Sequence, residues 1–106
     1  MDINEIAFMV ILNAGNAKNN AKEAEKYACE YQFDKAEELI KLANNDLNQA
    51  HQIQTDLIQA EARGEQQSFG LIMVHAQDHL TMAMMSIDHA KSMIGVYKEI
   101  ERIKNK

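Results

Sequence analysis

Proline is absent from this 106-residue chain and glycine occurs only four times. The residues that most readily break helices are therefore scarce, and little interrupts a helical register. A single cysteine, Cys29, excludes an intramolecular disulfide framework, and seven methionines beside it fit a reducing cytosol. We read Cys29 as a small buried residue. No apolar run approaches the roughly 20 residues of a membrane span. The apolar stretch 6–12 follows Asp2 and Glu5 rather than a basic segment, so it reads as the start of a core helix and not as a signal peptide. Positive charge is also short: a net charge of −5 argues against nucleic acid and anionic membrane as partners and suits basic patches on other proteins. The length fits one domain, 1–106, modestly stable alone, for which oligomerisation is a common remedy.

What is present is helical periodicity. Ile3, Ala7, Val10, Ala14, Ala17, Ala21, Ala24, Ala28 and Tyr31 recur in an unbroken 4-3 alternation, the mark of one long amphipathic helix. Its alanines imply close approach to neighbours. Gly15 lies inside this pattern at a cost of about 1 kcal/mol relative to alanine, which points to tight packing, or else to backbone access for a partner or phosphate. The pattern breaks around 30–34, where Asp34 can cap the next helix. Ala36, Ile40, Ala43, Leu47, Ala50 and Leu57 carry a second helix, and Gly64 is a natural left-handed stop. Residues 65–68 make a second turn, with Ser68 a cap. A third helix follows over about 67–103, and the charged end 98–106 reads as a solvated tail. With no strand pattern, the chain is expected to be all-α, an antiparallel up-down-up three-helix bundle.

The third helix differs from the others. Ile72, Ala76, Leu80, Ala83, Ile87, Ala90, Ile94 and Tyr97 form one apolar stripe, the side expected to face the other two helices. A second stripe, about 140° away on the helical wheel, holds Leu71, Met82, Met85, Met93 and Val96, interspersed with His75, Asp78 and His89. A monomeric bundle needs one broad face per helix, so a second points to packing against other copies about a symmetry axis.

Between Gln66 and Ala90 the only formal charges are Asp78 and Asp88, so most of this segment is expected to be buried. His75, Asp78 and His79 stand there at i, i+3 and i+4, on one helix face. On an axis, the Asp78 carboxylates of several copies converge and must take up protons or share a cation such as Mg²⁺. Off an axis, Asp78 is an ordinary partner for His75 or His79. A histidine at a seam suits nucleophilic work, in which a neutral ring nitrogen bonds to an electrophile; the plain alternative is a hydrogen-bonded structural ring. The spacing also resembles a His-x-x-Glu-His zinc motif, but with Asp for Glu and no evident third ligand. His51 either lines a pocket beside His75 or, the preferred reading, donates a hydrogen bond within the bundle. His89 reads as structural.

The run Leu71-Ile72-Met73-Val74-His75-Ala76-Gln77-Asp78-His79-Leu80 resembles the signature of the enzyme IIA components of the lactose/cellobiose (and chitobiose-type) class of the bacterial phosphoenolpyruvate-dependent sugar phosphotransferase system. Glu5-Ile6-Ala7-Phe8 leading to Ala14-Gly15-Asn16-Ala17, and Ala50-His51-Gln52-Ile53-Gln54-Thr55 leading to Leu57-Ile58-Gln59-Ala60-Glu61, match in order as well. The resemblance implies a cytoplasmic homotrimer of three-helix subunits. Each subunit takes a phosphoryl group from the phosphocarrier HPr onto one histidine and passes it to the cognate IIB component, which serves the membrane IIC component during uptake of a lactose-, cellobiose- or chitobiose-type β-glycoside. By motif, it implies that His75 is the phosphorylated residue and that Asp78 is the axial carboxylate holding a divalent ion, with Mg²⁺ expected, shared by three subunits. Lys18-Asn19 and Thr81-Met82 depart from the family pattern without touching either residue. The alternative from another class is a noncatalytic oligomeric helical adaptor with a structural metal site.

Overall fold

A computed structural model describes residues 2–65 and 70–106. It contains three helices, α1 (Ile3–Cys29), α2 (Phe33–Ala62) and α3 (Leu71–Lys104). They form an elongated up-down-up bundle of 61 × 20 × 18 Å. Its polarity is visible in the core: the N-terminal residues Ala7 and Val10 of α1 and Met73, Ala76 and Leu80 of α3 cluster with Ala50, from the C-terminal half of α2.

Asp2 starts α1 by accepting a hydrogen bond from the Glu5 backbone N–H at 2.9 Å, which satisfies one of the free donors of the first turn. Ala7, Val10, Ala14, Ala17, Ala21, Ala24 and Ala28 are all buried, as the 4-3 alternation predicts. Such small side chains let α1 lie close to both neighbours. Contact between α2 and α3 is much thinner, so α1 is the central element of the bundle.

The chain leaves α1 with Tyr31 at φ 63°. The Gln32 N–H bonds Tyr27 O and the Tyr31 N–H bonds Ala28 O, both at 2.9 Å, which is the paired closure of a Schellman motif. Glycine normally fills this position, because a side chain in the left-handed region costs roughly 1–2 kcal/mol. Contacts offset the strain: the Tyr31 ring packs tilted against Phe33 at 6.1 Å, and Lys104 Nζ lies 5.1 Å from its centroid. The expectation that Asp34 caps α2 is not met. Gln32 holds the cap position without a side-chain bond, and Asp34 lies in the first turn, where its charge complements the helix dipole.

At the far end Gly64 behaves as expected, at φ 87°. The Glu65 N–H reaches Ala60 O at 3.1 Å and the Gly64 N–H reaches Glu61 O at 3.0 Å. The expected cap Ser68 lies outside the described residues. The third helix begins at Leu71 rather than near 67, with Gly70 as an extended N-cap. The helix ends at Lys104, close to the expected end, and 98–106 is largely exposed as expected; two surface ion pairs hold it, Lys98 Nζ to Glu37 Oε1 of α2 at 2.6 Å and Arg102 to Glu99.

Two other expectations fail. Cys29 is exposed, not buried; its thiol beside Tyr97 raises that hydroxyl's pKa above the usual value. Gly15 is not a point of tight packing, because a Cβ built there meets nothing within 4 Å.

The two glycines therefore predict opposite outcomes for one chemical change. Gly64→Ala forces a methyl group into the left-handed region and is expected to lower unfolding free energy by about 1–2 kcal/mol. Gly15→Ala gains helix propensity without a clash and is expected to raise it by about 0.5–1 kcal/mol. Urea denaturation followed by circular dichroism checks both signs.

Candidate functional site

The stripe that anchors α3 also determines what the helix turns outward. Ala76, Leu80, Ala83, Ile87, Ala90 and Ile94 are buried, as predicted, and they are joined by Met73, which the wheel did not assign. Each histidine of the motif adjoins one of these anchors, His75 beside Ala76 and His79 beside Leu80. Their backbone is held by packing while the rings project away from the core. His75 is exposed and His79 half-buried.

The two rings meet. Nε2 of His79 lies 3.0 Å from Nε2 of His75, and the rings are edge-on at 86° with centroids 4.5 Å apart. Two imidazole nitrogens at hydrogen-bond distance require that one carry the hydrogen and the other offer its lone pair. The contact thus sets opposite tautomers on the two neutral rings. A ring nitrogen with a lone pair and a donor N–H face each other on the outer side of α3.

Asp78 is exposed and bonds neither imidazole. It shares a shallow pocket with Leu71, Ile72, Val74 and His75, largely apolar apart from these two polar residues. Within one chain no polar or charged side chain is fully buried among the described residues, and no cluster of three or more His, Cys, Asp or Glu side chains could hold a metal ion. The expectation that most of 66–90 is buried is therefore corrected for the isolated chain. Its outward half lies open, with Leu71 85% and Met85 66% exposed. Phe8 and Leu12 of α1, absent from the predicted seam, are similarly open at 59% and 62%.

The remaining histidines separate from this site. His51 is half-buried, does not line the pocket beside His75, and forms no hydrogen bond among the described residues, so neither expectation for it holds. His89 Nδ1 lies 2.7 Å from Glu25 Oε1 and ties α3 to α1, in keeping with a structural reading. Gln77, which the sequence reading passed over, turns toward α2, where its Oε1 accepts a hydrogen bond from Gln54 Nε2; its own Nε2 contacts Met73 Sδ at 3.7 Å. The link braces the helix turn that carries His75 and His79.

The fold and the site together define an alanine-seamed three-helix bundle that carries two imidazoles in mutual contact on its outer face. Comparison with known proteins gives the family. The model for "PTS system, Lactose/Cellobiose specific IIA subunit" matches residues 5–98, and the chain belongs to this family of phosphoryl-carrying phosphotransferase components in sugar transport. It is 39% identical over 105 residues to the lactose-specific EIIA component of Lacticaseibacillus casei, covering 99% of this chain and 94% of the relative. It is 40% identical to the lichenan-specific phosphotransferase enzyme IIA component of Bacillus subtilis (strain 168), covering 93% and 90%. Among solved structures, it resembles the cellobiose-specific enzyme IIA of Bacillus anthracis with a TM-score of 0.92, 40% identity and coverage of 96% and 94%. A chain of the IIA(Chitobiose)–HPr complex of Escherichia coli aligns with a TM-score of 0.82, 29% identity and coverage of 95% and 98%.

The nitrogen contact makes a spectroscopic prediction. In two-bond ¹H–¹⁵N spectra of the neutral rings, His75 and His79 are expected to be opposite tautomers, one carrying its hydrogen on Nε2 and the other on Nδ1. Matching tautomers on both rings would contradict the contact.

Proposed function

We propose that the chain accepts a phosphoryl group from phospho-HPr on His75 and donates it to a cognate IIB component, and through it serves a membrane IIC component importing a β-glycoside of the lactose, cellobiose or chitobiose type. The observation that carries this reading is the Nε2–Nε2 contact of His75 and His79 on an exposed helix face. Family membership supports it, as does the structural likeness to a chain of an IIA–HPr complex. The whole chain acts as one IIA domain, working in the cytoplasm. No described helix is long and apolar enough to cross a membrane.

In the reaction, the lone pair of His75 Nε2 forms the new N–P bond as the donor's bond to phosphorus breaks. Phosphoryl transfer has a loose transition state that needs positioning and charge stabilisation more than covalent assistance. His79 supplies the second of these. Its Nε2–H first holds the His75 lone pair, then turns by a short movement to a phosphoryl oxygen as phosphorus approaches, which frees that lone pair for the new bond. The ring that organises the nucleophile thus becomes the donor that receives the charge. The net charge of −5 favours a basic docking surface on the phosphoryl donor.

The same reading makes the protein a homotrimer in which the outward stripe of α3 meets its copies. Exposed Leu71, Met82 and Met85 support this, because a lone bundle gains nothing by presenting them to water. One chain offers the ion only the carboxylate of Asp78, which is too few donors to hold it. Three chains would converge three carboxylates, whose oxygens suit a hard cation such as Mg²⁺. Bound there, the cation would neutralise like charges that cannot all remain ionised together. A noncatalytic adaptor would account for the apolar stripe but gives no reason for two imidazoles in mutual contact on an open face.

Incubation with enzyme I, HPr and phosphoenolpyruvate is expected to give acid-labile, base-stable phosphate on His75, lost in His75→Ala. His79→Ala is expected to keep the label but slow its acquisition about 100-fold, the usual loss for one transition-state donor. An unlabelled wild-type protein beside a relay shown to be competent would leave the adaptor reading.

Sedimentation at micromolar concentration is expected to give a trimer. Asp78→Leu is expected to abolish divalent-ion binding while the trimer persists or gains stability, because an apolar group replaces gathered like charges. A monomeric wild-type protein would remove the axial assignment.

A further inference from the structure

We propose that the His75–His79 pair is also a chelating site for a borderline transition-metal cation of the Zn²⁺ class, distinct from the hard-ion role assigned to Asp78, and that occupancy blocks phosphoryl acceptance. The second half rests on the phosphocarrier reading; the first does not.

The geometry supplies the argument. Zn–N bonds of about 2.0–2.1 Å at angles between a right angle and a tetrahedral one place two ligand nitrogens about 2.9–3.4 Å apart. The two Nε2 atoms stand 3.0 Å apart across their mutual hydrogen bond, within that range, so binding asks only that the rings turn to aim both lone pairs at one point. Residues at i and i+4 share one helix face, so the backbone preorganises the bite. Ala76 and Leu80, buried next to the two histidines, hold that backbone rigid. His75 is exposed and His79 half-buried, so the remaining coordination positions are open to water.

Chelation uses both Nε2 lone pairs. The ring that donated the mutual hydrogen bond must then carry its hydrogen on Nδ1, so two neutral rings bind without net proton release. A metal-bound His75 has no Nε2 lone pair for phosphorus, and metal and phosphoryl group exclude one another at one atom. Imidazole nitrogen favours Zn²⁺ over Mg²⁺, which prefers oxygen. The hard ion therefore does not compete for this pair. Because no third His, Cys, Asp or Glu side chain of the described residues completes the cluster, the site is reversible and open to exchange. Such a site suits inhibition by free metal rather than a permanent structural ion.

The test begins with the Cys29→Ser protein, since the exposed Cys29 thiol is a competing zinc ligand. Calorimetric titration with zinc chloride in excess magnesium is expected to show one zinc per chain. His75→Ala and His79→Ala are each expected to weaken binding on the order of 100-fold, through loss of the chelate. Zinc should perturb the Nε2 resonances of both rings. Affinity unchanged in either variant, or no binding at all, would overturn the site. In a second arm, purified phospho-HPr is offered to the Cys29→Ser protein with and without one equivalent of zinc. Labelling suppressed by zinc and restored by EDTA is expected; labelling indifferent to a zinc ion shown to be bound would overturn the competition. If the zinc-free protein takes no label, the phosphocarrier reading fails and with it the competition, while the titration still decides the metal site.

Discussion

The rotation of α3 about its own axis is the constraint on which the rest depends. One line of side chains, from Met73 and Ala76 through Leu80 and Ala83 to Ile94, is buried against α1 and α2. Successive residues of a helix are separated by about 100°, so this line dictates the direction of every other side chain. A turn of one residue would bury His75 or expose Leu80, and either costs free energy: the first strands a polar ring away from water, the second loses apolar burial. The imidazole-bearing face is therefore held by a core in which, among the described residues, no polar or charged side chain is buried.

That core is thin in apolar material. Much of it is alanine, with Ile40, Met73, Leu80, Ile87 and Ile94 among its few large members. Alanine brings helices close but removes little apolar surface from water per residue. The opposite side of α3 leaves Leu71, Val74, Met82 and Met85 open, and α1 adds Phe8 and Leu12. A subunit with a lean interior and a greasy exterior has a physical reason to associate with copies of itself. His75 adjoins that greasy surface, sharing a shallow pocket with Leu71, Ile72 and Val74.

How much was legible in the residues depended on the physics behind each feature. The alanine register of α1 and the inner stripe of α3 were read correctly because a long helix enforces its period over many turns. Gly64 was legible because glycine is the cheap occupant of a left-handed stop. Tyr31, which performs the same closure at the end of α1, was not: its strain is offset by Phe33 and Lys104, residues that local patterning does not bring together. Asp34 was misjudged as a cap because cap and first turn favour the same carboxylate. Cys29 was misplaced because average burial says little about a residue at a helix end.

By itself, the order of residues determined three helices and their polarity, through two short breaks in the register, and the two faces of the last helix and the i, i+4 placement of His75 and His79, through the pitch of a helix. Whether the rings touch, that Asp78 bonds neither of them, and that Gln77 turns to Gln54 rather than to the histidines depended on rotamers and on neighbours in α2. Those were decided only by the packed structure, because a helical wheel gives the direction in which a side chain leaves the backbone and not the position at which it comes to rest.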